Sequence, residues 1–457
     1  MKRRCKIGLG ESAMARMHPA EPAVLQGAAV DEPALHRKLM RRILPFLFVC
    51  YVVSYLDRVN VGFAALTMNQ DIGLSATAFG VGAGLFFFGY FAAEIPSNLI
   101  MMRVGARLWI ARIMITWGLV SAATAFVTGP VQFGIARFLL GLGEAGFVPG
   151  VFLYLSLWFP SAVRARATAL FLLGIPVANI IGSPISGALV QLEGFGLKGW
   201  QWLLVLEAAP AVLLGIACLF VLTDRPEKAA WLSAPERDVL VAKLAAEKAA
   251  IEKKHNLTLA QALRDWRVLT LAAINFCAIV GSLGIGLWLP QIIKQLGLAT
   301  SLVGVVTAIP YVCGAVAMVV WGRLSDRGGD RTIYPAISLF VGAAALMASA
   351  FTPTPLLTIA ALCVAVMGIN SFVATFWAVP SGFLTGRAAA GGIAMIVSIG
   401  NLGGFAGPYM IGFVRDLSGG FTAPLVAVGC CLLLGAVLML GFGRRVRRHD
   451  ALAALPA

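Results

Sequence analysis

The sequence predicts an all-α membrane protein whose twelve transmembrane helices form two pseudo-symmetric six-helix halves. Three observations carry that prediction. Of 457 residues, 59% are hydrophobic and only 12% charged, and the mean hydropathy is +0.87. A soluble chain carries about a quarter charged residues and has no core large enough to hide so much apolar surface. Twelve apolar runs approach the ~20 residues that cross about 30 Å of hydrocarbon. One long polar segment, residues 223–266, divides those runs six and six.

In order, the runs cover residues 43–66, 78–100, 107–128, 131–158, 165–190 and 200–222, then 267–292, 301–322, 332–352, 356–384, 389–413 and 421–443. Residues 1–36 form a polar, basic N-terminal tail without the apolar core and cleavage site of a signal peptide. Met14 and Met17 leave the start of translation open. The first half spans 37–222 and the second 267–445, with a C-terminal tail over 446–457. The connector, 223–266, is rich in Ala, Glu and Lys and reads as a surface helix. Its Ser233-Ala-Pro-Glu236 fits a capping box with Pro just inside the helix start.

The basic residues fix an orientation. Of 36 Lys and Arg, 30 fall in the tails, the connector and the loops of one side. Lys198, Lys294 and Arg415 fall on the other, and Arg58, Arg112 and Arg137 lie within runs. Positive residues mark the cytoplasmic side, so both termini and the connector are expected there, in a bacterial inner membrane. The net charge of +15 then reflects topology and anionic-lipid contact, and no nucleic-acid partner is expected. The eight Cys are scattered through apolar runs with no CxxC or Cys/His cluster. The sequence offers no disulfide or metal framework, no cofactor motif and no nucleophile–base set, and an enzyme is not expected.

Charges inside the runs are the functional candidates, because an ionisable group at the bilayer centre costs roughly 2.5–3.5 kcal/mol. Asp57 lies 14 residues beyond Ile43, about 21 Å along the first span at 1.5 Å per residue. Glu144 lies 14 residues past Pro130 in the fourth, at a similar depth from the other side. Arg137 precedes Glu144 by two helical turns and shares its face; Gly141 and Gly143 let a neighbouring helix come close. An organic anion needs a fixed cation, and a guanidinium matches a carboxylate bidentately, so Arg137 is assigned to substrate. His18, His36, His255 and His449 all fall in tails or loops, so any coupled proton rests on Asp57 and Glu144. Arg58, beside Asp57, is expected to hold that carboxylate ionised. Glu94 and Glu207 are assigned structural or gating contacts, and Arg112 is close enough to the basic side to snorkel.

The halves also repeat a turn. "IPSNLIMMRVGARLW" (95–109) follows the second run and "MVVWGRLSDRGGDRTIY" (318–334) the eighth. The latter, with Gly322, Asp326, Arg327 and Arg331, resembles the G-x-x-x-D-R-x-G-R signature of the major facilitator superfamily. The first copy is degenerate, with Ser97 and Met101 where Gly and Asp would stand. "YLDRVNVGFA", "RFLLGLGEAGFVPG", "WFPSAVRARA", "LPQIIK" and "SIGNLGGFAGPYMIG" resemble the anion:cation symporter branch of that superfamily, over roughly residues 37–445. In texture the chain is nearest to its bacterial tartrate transporter group.

The resemblance implies a monomeric proton symporter that imports an organic carboxylate, with Asp57 and Glu144 coupling protons and Arg58 and Arg137 at the substrate. It places Tyr55 and Tyr90 in the lining of the pocket. Asn179, Asn275, Trp377 and Asn401 are further polar or ring candidates, each as apt for helix packing. Two departures make the pocket less polar: Ile175 stands where sugar-acid carriers have a Gln, and Val397 where an Asn is frequent. They weaken a sugar-acid reading and leave room for a smaller hydroxy acid such as tartrate. They also keep open an aromatic acid of the phthalate or 4-hydroxyphenylacetate type. A proton antiporter exporting drug-like compounds is the remote alternative.

Overall fold

The computed structural model describes residues 30–253, 265–328, 330–380 and 386–453. Met14, Met17, His18, His255 and the expected end of the tenth span at 381–384 lie outside them. Among the described residues sixteen α-helices make the twelve spans and the connector, and there is no strand. The first span is α1 (Glu32–Val59) and α2 (Val61–Asp71), the second α3 (Ala76–Val104) and the third α4 (Ala106–Thr124). The fourth is α5 (Pro130–Glu144) and α6 (Phe147–Trp158), the fifth α7 (Ser161–Leu172) and α8 (Gly174–Leu189), and the sixth α9 (Gly199–Val221). The connector carries α10 (Ala234–Lys253). The second half follows as α11 (Trp266–Gln295), α12 (Thr300–Arg327), α13 (Ile333–Ser349), α14 (Pro355–Phe376), α15 (Gly386–Ser418) and α16 (Thr422–Ala453).

Eleven spans are long and apolar enough to cross a membrane; α13, at 17 residues, completes the twelve. Their outer surfaces expose Leu213, Phe220, Ile95 and Leu356 at 66%, 82%, 69% and 76%, apolar area that only lipid would cover. Several helices outrun their apolar runs. The first begins at Glu32 rather than 43, because Asp31 caps it by accepting from the Ala34 amide at 3.1 Å. The last continues to Ala453. Lys and Arg are good helix formers whose stems follow the apolar surface while their heads reach water, so the helix need not stop at the hydrocarbon edge. The tenth span, by contrast, ends at Phe376.

The bundle has one end carrying the start of α1, the end of α16 and helix α10, here the terminal end, and an opposite, far end. The predicted capping box forms: Glu236 Oε2 accepts from the Ser233 amide at 2.9 Å, and Ser233 Oγ from the Glu236 amide at 3.4 Å. Helix α10 is then tied across the terminal end of the first half. Lys38 pairs with Glu236 and Lys243 with Glu32, both at 2.6 Å. Glu247 accepts from the Ser161 amide and from Arg164 at the start of α7. The loop after α12 is anchored by Asp330, which accepts from Thr332 and pairs with Arg447 of α16. Its neighbours Asp326, Arg327 and Arg331 are exposed, and Gly322 faces Ala374.

Close contacts between the halves gather toward the far end. Gly187 of α8 meets Gly304 of α12 backbone to backbone, and Gly62 of α2 lies against the Leu287 carbonyl of α11. Gly80 of α3 lies against the Pro408 carbonyl of α15, where a Cβ would sit only 2.4 Å from the oxygen. At the tip, Asp416 of α15 accepts from the Ala76 and Thr77 amides, at 3.1 and 2.7 Å, in the first turn of α3. Those amides have no intrahelical acceptor, and the positive end of the helix favours a carboxylate. Nearer the middle, Phe88 rests edge-on to Phe405 and Gly404 lies against Phe87.

Candidate functional site

Two helix interruptions shape the middle of the first half. The fourth span breaks after Glu144: Ala145 is extended and Gly146 left-handed, with φ of 88°. Gly146 also lies against Ser97 of α3, so a Cβ there meets both backbone strain and a neighbour at 2.3 Å. The first span breaks at Asn60, three residues past Asp57. Helices α3 and α5 interlock through glycines, Gly89 against the Phe138 carbonyl and Gly141 against that of Phe86. This approach brings the aromatic face of α3 onto the charges of α1 and α5.

Asp57 is 2% exposed. Its Oδ1 accepts from Ser121 Oγ of α4 at 2.6 Å and from Asn60 Nδ2 at 3.0 Å, while Oδ2 is buried with no hydrogen-bond partner. Glu144 is 1% exposed and accepts from Ser54 Oγ at 3.1 Å. It also pairs with Arg58. The expectation that Arg58 holds Asp57 is therefore corrected. Consecutive residues point about 100° apart on a helix, so Arg58 faces α5 while Asp57 faces α4. The Arg58 guanidinium lies 5.3 Å from the Phe86 ring centre, 5.5 Å from Tyr90 and 6.0 Å from Tyr55.

Arg137 is 2% exposed, and its guanidinium lies over the same Phe86 ring, 5.2 Å from its centre. Its Nε and Nη2 are buried without a hydrogen-bond partner, and among the described residues no carboxylate reaches it within 4.0 Å. A buried guanidinium left this way is costly unless something anionic joins it. Asp57 and Glu144 act on it only through space.

The other candidates divide. Tyr55 reaches the Asn179 side chain, whose amide also donates to the Ile175 carbonyl at 3.0 Å, so both border the cluster. Tyr90 is buried within it, and Glu94 is half-buried one turn toward the terminal end. Asn401, half-buried on α15, shares a face with Gly404 and Phe405, which meet α3. Asn275 is spent on packing: its amide donates to the Ile396 carbonyl at 3.2 Å, with Gly400 pressed against it. Trp377 sits 37% exposed at the end of α14, edge-on to Phe376. Glu207 lies deep in α9 and accepts from Ser186 Oγ at 2.6 Å. Arg112 stacks on the Trp109 ring at 3.9 Å, half-buried near the terminal end.

Sequence reasoning missed Phe86, Ser54, Ser121 and Tyr311. Phe86 precedes Tyr90 by one turn and Ser54 precedes Asp57 by three residues, so helical spacing could have found both. Ser121 has no such signal, since its bond to Asp57 spans 64 residues. Nor does Tyr311 of the second half, which acts on Tyr55 through space.

Comparison with known proteins places the chain in context. The family model described as Major Facilitator Superfamily matches residues 47–408 and 271–455. An Agrobacterium vitis protein named "Putative tartrate transporter" is 50% identical over 414 residues, covering 90% of this chain and 92% of that one. An Acinetobacter baumannii "Quinolone resistance transporter" is 40% identical, over 88% of this chain and 93% of its own. In fold, the chain resembles the crystal structure of a D-xylose-proton symporter, with a TM-score of 0.70 at 16% identity, covering 88% of this chain and 98% of that one.

Proposed function

The chain belongs to the Major Facilitator Superfamily, a family of transporters rather than enzymes, and on that footing we propose that it takes up an organic carboxylate together with protons by alternating access. The observation that carries the proposal is Arg137, a buried guanidinium with two unpartnered nitrogens beside an aromatic wall. A carboxylate of the substrate supplies the missing charge and accepts a bidentate pair of hydrogen bonds. Tartrate or a related hydroxy acid is the first choice, supported by the name of the Agrobacterium relative.

Asp57 and Glu144 carry the coupling. Asp57 has an unpartnered buried oxygen that seats a proton, and Glu144 neutralises Arg58. Capturing an anion at Arg137 adds negative charge to a site poor in water, which favours protonation of a neighbouring carboxylate. The far-end contacts close one face of the pathway, and rocking the 37–222 half against the 267–445 half opens it. Both termini lie in the cytoplasm of a bacterium and the protein works as a monomer in the inner membrane. The basic cleft of about 460 Å3 lined by Arg37, Lys38, Arg41 and Arg42 sits at the level of anionic headgroups.

A second reading has its own support. Phe86, Tyr55 and Tyr90 make the cation site aromatic, which suits an aryl carboxylate, and the quinolone drugs named for the Acinetobacter relative also carry an aromatic carboxyl group. Purified protein in proteoliposomes separates the readings. Under an inward proton gradient, tartrate accumulates and is chased by excess tartrate. Accumulation of phthalate instead transfers the assignment to aromatic acids, and export of a quinolone reverses the direction. Uptake of every acid that ignores the gradient would rule out coupling.

A further inference from the structure

Glu207 is a buried carboxyl to which the mechanism above gives no task. It sits in α9 at 5% exposure, and its Oε2 is buried without a hydrogen-bond partner. The groups that act on it are Ser186 from α8, Asn60 from the junction of α1 and α2, and Asp57 from α1. Ser186 Oγ donates to Oε1 at 2.6 Å. Helix α4, its broadest neighbour, offers Ser121, which is taken by Asp57; its Arg112 is engaged with Trp109. Among the described residues no Lys or Arg comes within 4.0 Å of Glu207.

Asn60 stands between two acids. Its amide nitrogen donates to Asp57 Oδ1 at 3.0 Å, and the same side chain faces Glu207. An amide has two hydrogens, enough to serve an oxygen of each carboxyl; Asp57 Oδ2 and Glu207 Oε2 are both buried without a partner. The charges of the region do not balance either: Asp57, Glu144 and Glu207 against Arg58 and Arg137. With all five ionised, the buried cluster carries one uncompensated negative charge.

We propose that Glu207 is a further proton-binding residue of the transport cycle, titrating as a pair with Asp57 across the Asn60 amide. In the empty carrier neither acid of the pair holds a proton, and the cluster keeps its uncompensated negative charge. Anion capture at Arg137 adds more negative charge, and each of the two carboxylates takes a proton from hydronium and leaves water. Release of the anion returns both protons to water on the other side. Carboxylates that act on one another titrate as a unit, so removing one acid changes both steps.

The inference rests on the proton-coupled reading, and its test separates the two. The full chain is reconstituted with tartrate on both sides, and the pH gradient that just cancels net flux is measured. That balance gives protons per tartrate. For Glu207→Gln the ratio falls by about one proton and the acid limb of the uptake profile flattens, because an amide cannot take a proton at this pH. Glu207→Asp keeps the ratio but moves the pH midpoint, and it serves also if the Gln variant fails to fold. A wild-type ratio and midpoint in both variants, or in Glu207→Asp alone if only it folds, would overturn the role of Glu207 while leaving coupling intact. A wild-type carrier whose tartrate flux ignores pH removes the coupled reading itself.

Discussion

Arg58 of α1 is paired with Glu144 at the broken end of α5, across 86 residues of sequence, while its chain neighbour Asp57 bonds Ser121 of α4. The pair joins the first and fourth spans where the fourth changes direction. It also turns the Arg58 guanidinium onto the Phe86 ring, over which Arg137 also stands.

Removing one member of the Arg58–Glu144 pair leaves a buried charge alone, at a cost of about 3–5 kcal/mol. Glu144→Gln and Arg58→Gln are each expected to lower the thermal midpoint in detergent, and the double variant to recover much of the loss. A double variant as unstable as the sum of its parents would mean that the two side chains do not interact.

Arg137→Lys keeps the positive charge but loses the planar fork. One charge-assisted hydrogen bond is worth roughly 1.5–3 kcal/mol, so tartrate binding is expected to weaken about 10- to 100-fold. Isothermal calorimetry on the purified protein reads this directly. Unchanged affinity would remove Arg137 from the substrate.

The Asp416 carboxylate on the first turn of α3 holds the far end shut, because it bridges the two halves. Asp416→Ala is expected to raise the labelling of a cysteine placed at Ser183, buried at the same α8–α12 contact, by a membrane-impermeant maleimide, roughly 2- to 10-fold. Asp416→Glu should restore part of the closure. Equal labelling in all three proteins would show that other contacts suffice.

Hydrogen bonding to Lys38, followed by that to the Ser233 amide, holds the Glu236 carboxyl below its ordinary value of 4.5. A lowered folded value means that the ion pair stabilises the protein above the ordinary carboxylate range and ceases to do so as pH falls through the folded value. Glu236→Gln should therefore melt earlier than the wild type near pH 7, and the difference should shrink toward zero in strong acid. A difference that persists in acid would trace the loss to packing instead.

The sequence by itself determined the solvent, the number of spans and the depth at which the charges lie. Hydropathy and the length of an apolar run are local quantities, and lipid rewards them without reference to any partner. Local too is the Ser233–Glu236 box, whose partners are three residues apart. Asp57, Arg137, Glu144 and Glu207 were legible as buried for the same reason: each sits inside an apolar run. Tertiary structure alone decided what those charges meet. The bonds that matter join residues 64, 86 and 90 positions apart. Adjacent residues on a helix face different neighbours, so proximity in sequence misassigned Arg58 to Asp57. It also spent Asn275 on the Ile396 carbonyl and brought Phe86, through Gly141, against two arginines. Pairing depends on how helices pack face to face, and that depends on every neighbouring side chain at once.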